Sequence, residues 1–244
     1  MNVVDLREFY ASPLGKATQA VLTRKIASYH SAQVDSRLMG LGYALPFMSG
    51  DANDLAFMMA RSGVVHWPDA GRVQSALVDE LDLPLPDNSI EQAMVVHGLE
   101  FSESPCDMLQ ELWRVLTPQG KLILVVPNRR GLWAASDATP FGLGQPFSSS
   151  HLAKLLKDAQ FSQTTISPAL FMPPRQKLLE LGMVGIFEKF GSVVFGGLSG
   201  VLIAVATKQV YAYVSGRAVR RLSPRFRSVL LPAPRPSPGH GKKI

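Results

Sequence analysis

The run Leu122-Ile123-Leu124-Val125-Val126 is apolar at every position, so no alternation assigns it an inner and an outer side. A strand with that pattern is buried on both faces, and such strands belong to parallel sheets covered by helices. The neighbouring segments agree. Arg37 to Gly42 reads as a short first strand ending in a glycine turn, Asp54 to Arg61 as a helix, and Gly63 to Pro68 as a second strand stopped by proline. Ser75 to Val78 and Ile90 to Val96 read as strands three and four. Between the fourth strand and the aliphatic run, Pro105 opens a helix that reaches Leu116, with Met108, Leu109, Leu112, Val115 and Leu116 on one side. Thr117 to Gly120 then forms a turn. Strands alternating with helices predict an α/β fold, a mostly parallel sheet with helices on both faces.

The flanks are less regular. Ser12-Pro13 starts a helix whose stripe is Leu14, Ala17, Val21, Leu22 and Ile26. Asn128 to Pro146 reads as a long loop rich in glycine, proline and arginine, the kind of segment that covers a site. His151 to Gln160 is expected to be a helix, Phe161 to Phe171 a strand, and 175–190 helical. Residues 191–207 are 17 uncharged residues broken by four glycines. A membrane span needs about 20 apolar residues. The β-branched content and the Gly196-Gly197 pair favour a buried hairpin over a membrane-associated segment.

Composition and charge narrow the class. At 244 residues, 46% hydrophobic and 18% charged, the chain suits one globular domain. The single cysteine, Cys106, excludes an internal disulfide and reads as structural; no Cys/His spacing suits a metal. Charges at Asp5, Arg7 and Glu8 stand where a cleaved leader needs an apolar run, so a cytoplasmic protein is expected. The net charge of +6 is uneven: residues 216–244 hold eight Lys or Arg and no acid, leaving 17 basic and 19 acidic side chains in 1–215. The expected organisation is a domain over 1–215 and a basic, proline-rich tail over 216–244. A tail of that kind is a solubilising end, or a docking segment for nucleic acid or an anionic membrane.

The stretch from Asp79 to Asn128 carries a resemblance. It holds the turn Leu83-Pro84-Leu85-Pro86-Asp87-Asn88-Ser89, then Glu111-Leu112-Trp113-Arg114-Val115-Leu116-Thr117-Pro118-Gln119-Gly120, then the aliphatic strand and Pro127-Asn128. In that order these pieces resemble the class I S-adenosylmethionine (SAM)-dependent methyltransferases, especially the small-molecule branch related to quinone-biosynthesis enzymes. The likeness is specific over about fifty residues and looser from about 12 to 161. It implies a Rossmann-like three-layer αβα sandwich with a seven-stranded sheet, and SAM across the carboxyl ends of the early strands.

The resemblance also implies site residues. Gly40-Leu41-Gly42-Tyr43 occupies the place of the glycine-rich cofactor turn, with Leu38 and Ala44 where the family has an acid and a third glycine. A valine at 42 is expected to crowd that turn and weaken cofactor binding while leaving the fold largely intact. The end of the second strand usually offers a carboxylate to the ribose hydroxyls, because a bidentate acceptor matches a vicinal diol. The expected second strand ends at His66-Trp67-Pro68-Asp69, with no acid in place unless Asp69 reaches back; Trp67 would stack on adenine or sit in the core. Asp79, five residues before Pro84, with Glu80 and Leu81 beside it, suits the adenine side or a solvated turn. His97, after the fourth strand, is a wall residue, a substrate contact or a base. Asn128, Arg129 and Trp133 lie at the substrate edge. No residue stands out as catalytic, which methyl transfer allows, since alignment with an activated sulfonium supplies much of the rate. The function implied is methyl transfer to a small-molecule or lipid-like acceptor. The alternatives are a non-catalytic binding or regulatory protein of the same fold, and an RNA or protein methyltransferase docking through its tail.

Overall fold

The computed structural model describes residues 2–29, 37–68, 71–175, 178, 182, 184–194 and 197–210. The basic tail lies outside them, as does Asp69. Residues 1–210 form one compact unit.

Two helices lead the chain. Asn2 caps α1 (Val3–Ala11) in a capping box with Asp5, and Ser12 caps α2 (Pro13–Ala27) by accepting from Gly15 N. Seven strands follow: β1 (Leu38–Gly42), β2 (Leu55–Met59), β3 (Ser75–Val78), β4 (Ile90–Val96), β5 (Leu116–Pro127), β6 (Phe161–Ala169) and β7 (Val201–Lys208). They form one sheet in the order β3-β2-β1-β4-β5-β7-β6. The first five in that order pair in parallel, while β7 runs antiparallel to both neighbours. One face carries α3 (Pro105–Val115) and α4 (Ser149–Asp158) over Met39, Leu41, Val95, Leu122 and Leu124. The other carries α1, α2 and part of α5 (Val184–Val194) over Met58, Met94, Val96, Ile123 and Val125. Helices on both faces of a mostly parallel sheet make the expected three-layer αβα sandwich.

Three expectations are corrected. The stretch read as a helix, 54–61, holds β2: Leu55 to Phe57 pair with Met39 to Leu41, and Ala56 to Met59 pair with Ser75 to Val78. The segment read as the second strand, 63–68, is irregular chain containing a cis Trp67-Pro68 bond. The 191–207 hairpin is absent. Its first residues complete α5, and its last residues form β7, which inserts between β5 and β6. Among the described residues no helix is long and apolar enough to cross a membrane.

Two parallel crossovers lack their usual helix. Between β1 and β2 there is only a 3₁₀ turn at Leu45–Phe47, and the described residues between β2 and β3 hold no helix. The sheet face there is covered instead by α1 and α2, whose Leu6, Tyr10, Leu22 and Ile26 pack with Tyr43, Phe47 and Met58. The N-terminal helices therefore stand beside the carboxyl ends of the early strands.

Candidate cofactor pocket

A pocket of about 350 Å³ opens at the carboxyl ends of four parallel strands. Its wall takes Gly42 and Tyr43 from the end of β1, Met59 to Ser62 from β2, Asp79 to Leu81 from β3, and His97 from β4. Val3 and Leu6 of α1 close one side, and Phe101, Glu103 and Ser104 another. Open α/β sheets bind ligands at this edge.

The chain reaches this geometry through local chemistry. Gly42 ends β1 with φ +83, and a Cβ there would meet Val96 O at 2.4 Å and His97 O at 2.8 Å. The turn therefore needs glycine both for its left-handed backbone and for its contact with β4. Tyr43 N donates to Val96 O at 2.6 Å, which fixes the turn against the neighbouring strand. After β3, Asp79 Oδ1 accepts from Leu81 N at 2.9 Å and shapes the acidic turn.

The turn Leu83 to Ser89 is held by the same residues that carry the resemblance. Arg114 donates from Nε to Glu111 Oε2 at 2.8 Å and from Nη1 to Asp87 Oδ1 at 2.6 Å. It also donates to the carbonyls of Leu83 and Leu85, while Leu83 N donates to Glu111 Oε1 at 2.7 Å. The Arg114 guanidinium holds the Glu111 carboxyl below its usual range. The most recognisable motif in the chain is thus a clamp joining α3 to the β3–β4 connection, and it positions the pocket without lining it.

Beside the pocket is a buried polar chain. His97, with φ +49, faces the Tyr10 hydroxyl at 2.9 Å through Nε2 and Glu100 Oε1 at 3.2 Å through Nδ1. Each ring nitrogen thus meets one buried partner, and the direction of the two bonds follows the tautomer of the imidazole. Burial first, and the Glu100 charge second, push the Tyr10 phenol well above its ordinary value, which keeps the hydroxyl protonated. Glu100 Oε2 has no partner among the described residues. Phe141 packs on the imidazole with ring centroids 4.5 Å apart.

Of the residues expected at the cofactor, the structure brings Gly42, Tyr43, Asp79, Glu80, Leu81 and His97 to one pocket. Gly40 and Leu41 lie inside β1 instead; Leu41 is core, and the open side of Gly40 is filled by Met48 Sδ, 2.4 Å from where a Cβ would stand. Trp67 packs near Gly50, outside the lining. Neither Asn128 nor Trp133 faces the pocket. Asn128 Nδ2 donates to Ser199 O at 2.9 Å, and buried Trp133 donates from Nε1 to Met172 O at 2.6 Å. Arg129 is exposed and its backbone N–H holds Phe147 O. Sequence reasoning missed Val3, Leu6, Arg61 and Glu103, because their place depends on where α1 docks and where β2 ends.

The profile of the methyltransferase domain family matches residues 51–124. Curated relatives include the ubiquinone/menaquinone biosynthesis C-methyltransferases of Azotobacter vinelandii and Ectopseudomonas mendocina. The first is 27% identical over 173 residues, covering 70% of this chain and 65% of the relative. The second is 26% identical over 187 residues, covering 75% and 66%. The chain therefore spans just under two thirds of the length of these relatives. Among solved structures, a SAM-dependent methyltransferase of Thermotoga maritima, described as a possible histamine N-methyltransferase, superposes with a TM-score of 0.59 at 15% identity, covering 85% of this chain and 96% of that one. The [4+2]-cyclase SpnF superposes with a TM-score of 0.55 at 22% identity, covering 78% and 80%.

The chain has the fold of the class I SAM-dependent methyltransferases, and its residues 51–124 are similar to their methyltransferase domain. The curated relatives named above are ubiquinone/menaquinone C-methyltransferases. The cofactor of the class is SAM, which supplies a sulfonium-activated methyl group. The pocket suits it on one observation of charge: its charged lining is Arg61 against Asp79, Glu80 and Glu103, an acidic excess facing a cofactor of net charge about +1. No group of side chains that could hold a metal ion occurs among the described residues.

Proposed function

We propose that this chain is a SAM-dependent methyltransferase acting on a small-molecule or lipid-like acceptor. The observation that carries the reading is the acidic pocket at the carboxyl ends of β1 to β4 in a sheet of order β3-β2-β1-β4-β5-β7-β6. Gly42 and Tyr43 are assigned to the amino-acid part of the cofactor, Asp79, Glu80 and Leu81 to the adenine side, and His97 to the wall beside the methyl group. The apolar side chains of Val3, Leu6 and Phe101 favour an acceptor with apolar surface. A cytoplasmic location goes with this reading. Calorimetric titration with SAM and with S-adenosylhomocysteine (SAH) tests it. Micromolar binding of both is expected. Absence of binding by folded protein overturns it.

A non-catalytic role for the same fold is the second reading. What favours it is the end of β2, where Ala60 and Arg61 stand in place of an acid. The basic composition of residues 216–244 favours a third, an RNA or protein methyltransferase that docks through this tail. It is tested by deleting 216–244: a steep salt dependence of nucleic-acid binding, lost on deletion, is its signature.

A further inference from the structure

The strand that usually presents a ribose-binding carboxylate has none here. Beyond Met59 the chain reads Ala60-Arg61-Ser62, and all three residues line the pocket. A vicinal diol in a pocket still calls for a charged acceptor with two oxygens. The lining offers three. Asp79 and Glu80 belong to the end of β3, and Asp79 Oδ1 is already engaged by Leu81 N. Glu103 comes from the connection between β4 and α3, crosses to the end of β2, and pairs with Arg61.

We infer that Glu103, held in place by Arg61, supplies the carboxylate that receives the ribose hydroxyls of the cofactor. The inference rests on the pocket being the SAM site. The pair is complementary to a diol. Glu103 Oε1 is bonded to Arg61, its second oxygen is open to accept from a hydroxyl, and the guanidinium has further N–H groups to donate to a hydroxyl oxygen. Both side chains are exposed, at 82% for Arg61 and 73% for Glu103, so a ligand reaches them without rearrangement of the core. The positive charge of Arg61 at the end of β2, which looks hostile to a cationic cofactor, is in this arrangement the device that orients the acid. Glu80 adds a second negative charge near Arg61 and serves as the comparison residue.

The test is calorimetric binding of SAH and of its 2′-deoxyribose analogue to the full chain, to Glu103→Gln and to Glu80→Gln. Wild type is expected to bind the analogue about 10- to 100-fold more weakly than SAH, the span of a lost hydrogen bond to a charged group. Glu103→Gln is expected to lose a similar factor for SAH and to bind SAH and the analogue equally, while Glu80→Gln keeps the preference. If Glu103→Gln still prefers SAH by the wild-type factor, or if wild type shows no preference, the inference is wrong although the pocket assignment stands. If wild type binds neither ligand, the pocket assignment falls first and the inference with it. Because Glu103 is exposed and outside the core, its variants are expected to keep the wild-type melting temperature, and a lower one would reassign Glu103 to a structural role.

Discussion

Gly42 shows how one residue can serve fold and site together. From sequence, a valine at this position was expected to disturb the cofactor turn alone. The structure corrects that, because the added atoms would collide with the Val96 and His97 carbonyls at a left-handed backbone. Gly42→Val is expected to lower stability by more than about 2 kcal/mol, read as a fall in melting temperature, before any effect on binding. Asp79→Ala makes the contrasting case: the side chain is exposed and bonded only within its own turn. Its loss is expected to leave the melting temperature unchanged and to weaken SAM binding by about 1–3 kcal/mol in calorimetry. Unchanged affinity would return Asp79 to the solvated turn. Single residues were unevenly legible. The acids after β3 could be placed by counting back from Pro84, whereas Trp133 looks like a loop aromatic until its indole is seen bonded to Met172 O. The partner lies 39 residues away, and no local pattern encodes it.

Elements were legible where burial alone dictates them and obscure where pairing decides. The aliphatic strand β5 and the amphipathic α3 follow from their own side chains. Leu55-Ala56-Phe57-Met58-Met59 does not, since leucine, alanine and methionine are good helix formers; its strand state is imposed by parallel neighbours on both sides. Gly191 misled in the same way. It opens the 191–207 run expected to form a hairpin, yet it sits in α5 where its missing side chain admits Phe171, whose Cβ lies 2.4 Å from where a Cβ of residue 191 would stand. The Arg114 clamp gives a prediction at this scale. The Glu111 carboxyl is held below its ordinary pKa by Arg114, so its contribution is fully present above the unfolded value near 4.5 and is lost as pH falls through the folded value. Glu111→Gln is expected to cost about 2 kcal/mol at pH 7. The gap from wild type should close as denaturation is repeated at pH 4 and below, and a gap independent of pH would contradict the ion pair as its source.

At the scale of the whole molecule, the fold and the class were legible and the site only in part. Strand alternation and one fifty-residue block sufficed for the sandwich. The pocket's other half comes from α1, which covers the sheet face beside the helix-poor crossovers, and from the Glu103 segment between β4 and α3, and no motif announces either. Residues 1–210 carry the pocket and both core faces. A chain ending at Val210 is therefore expected to keep the melting temperature and the SAH affinity of the full chain; a loss of either would give the tail a part in the fold. The central claim is that the acidic edge at the ends of β1 to β4 is where the cofactor sits. The most direct measurement is backbone amide NMR of the full chain titrated with SAH. The account predicts shifts centred on Gly42, Tyr43, Ala60 to Ser62, Asp79 to Leu81 and His97. Shifts concentrated instead along the groove between α2 and α5, around Ala17, Arg24 and Ile186, would contradict it.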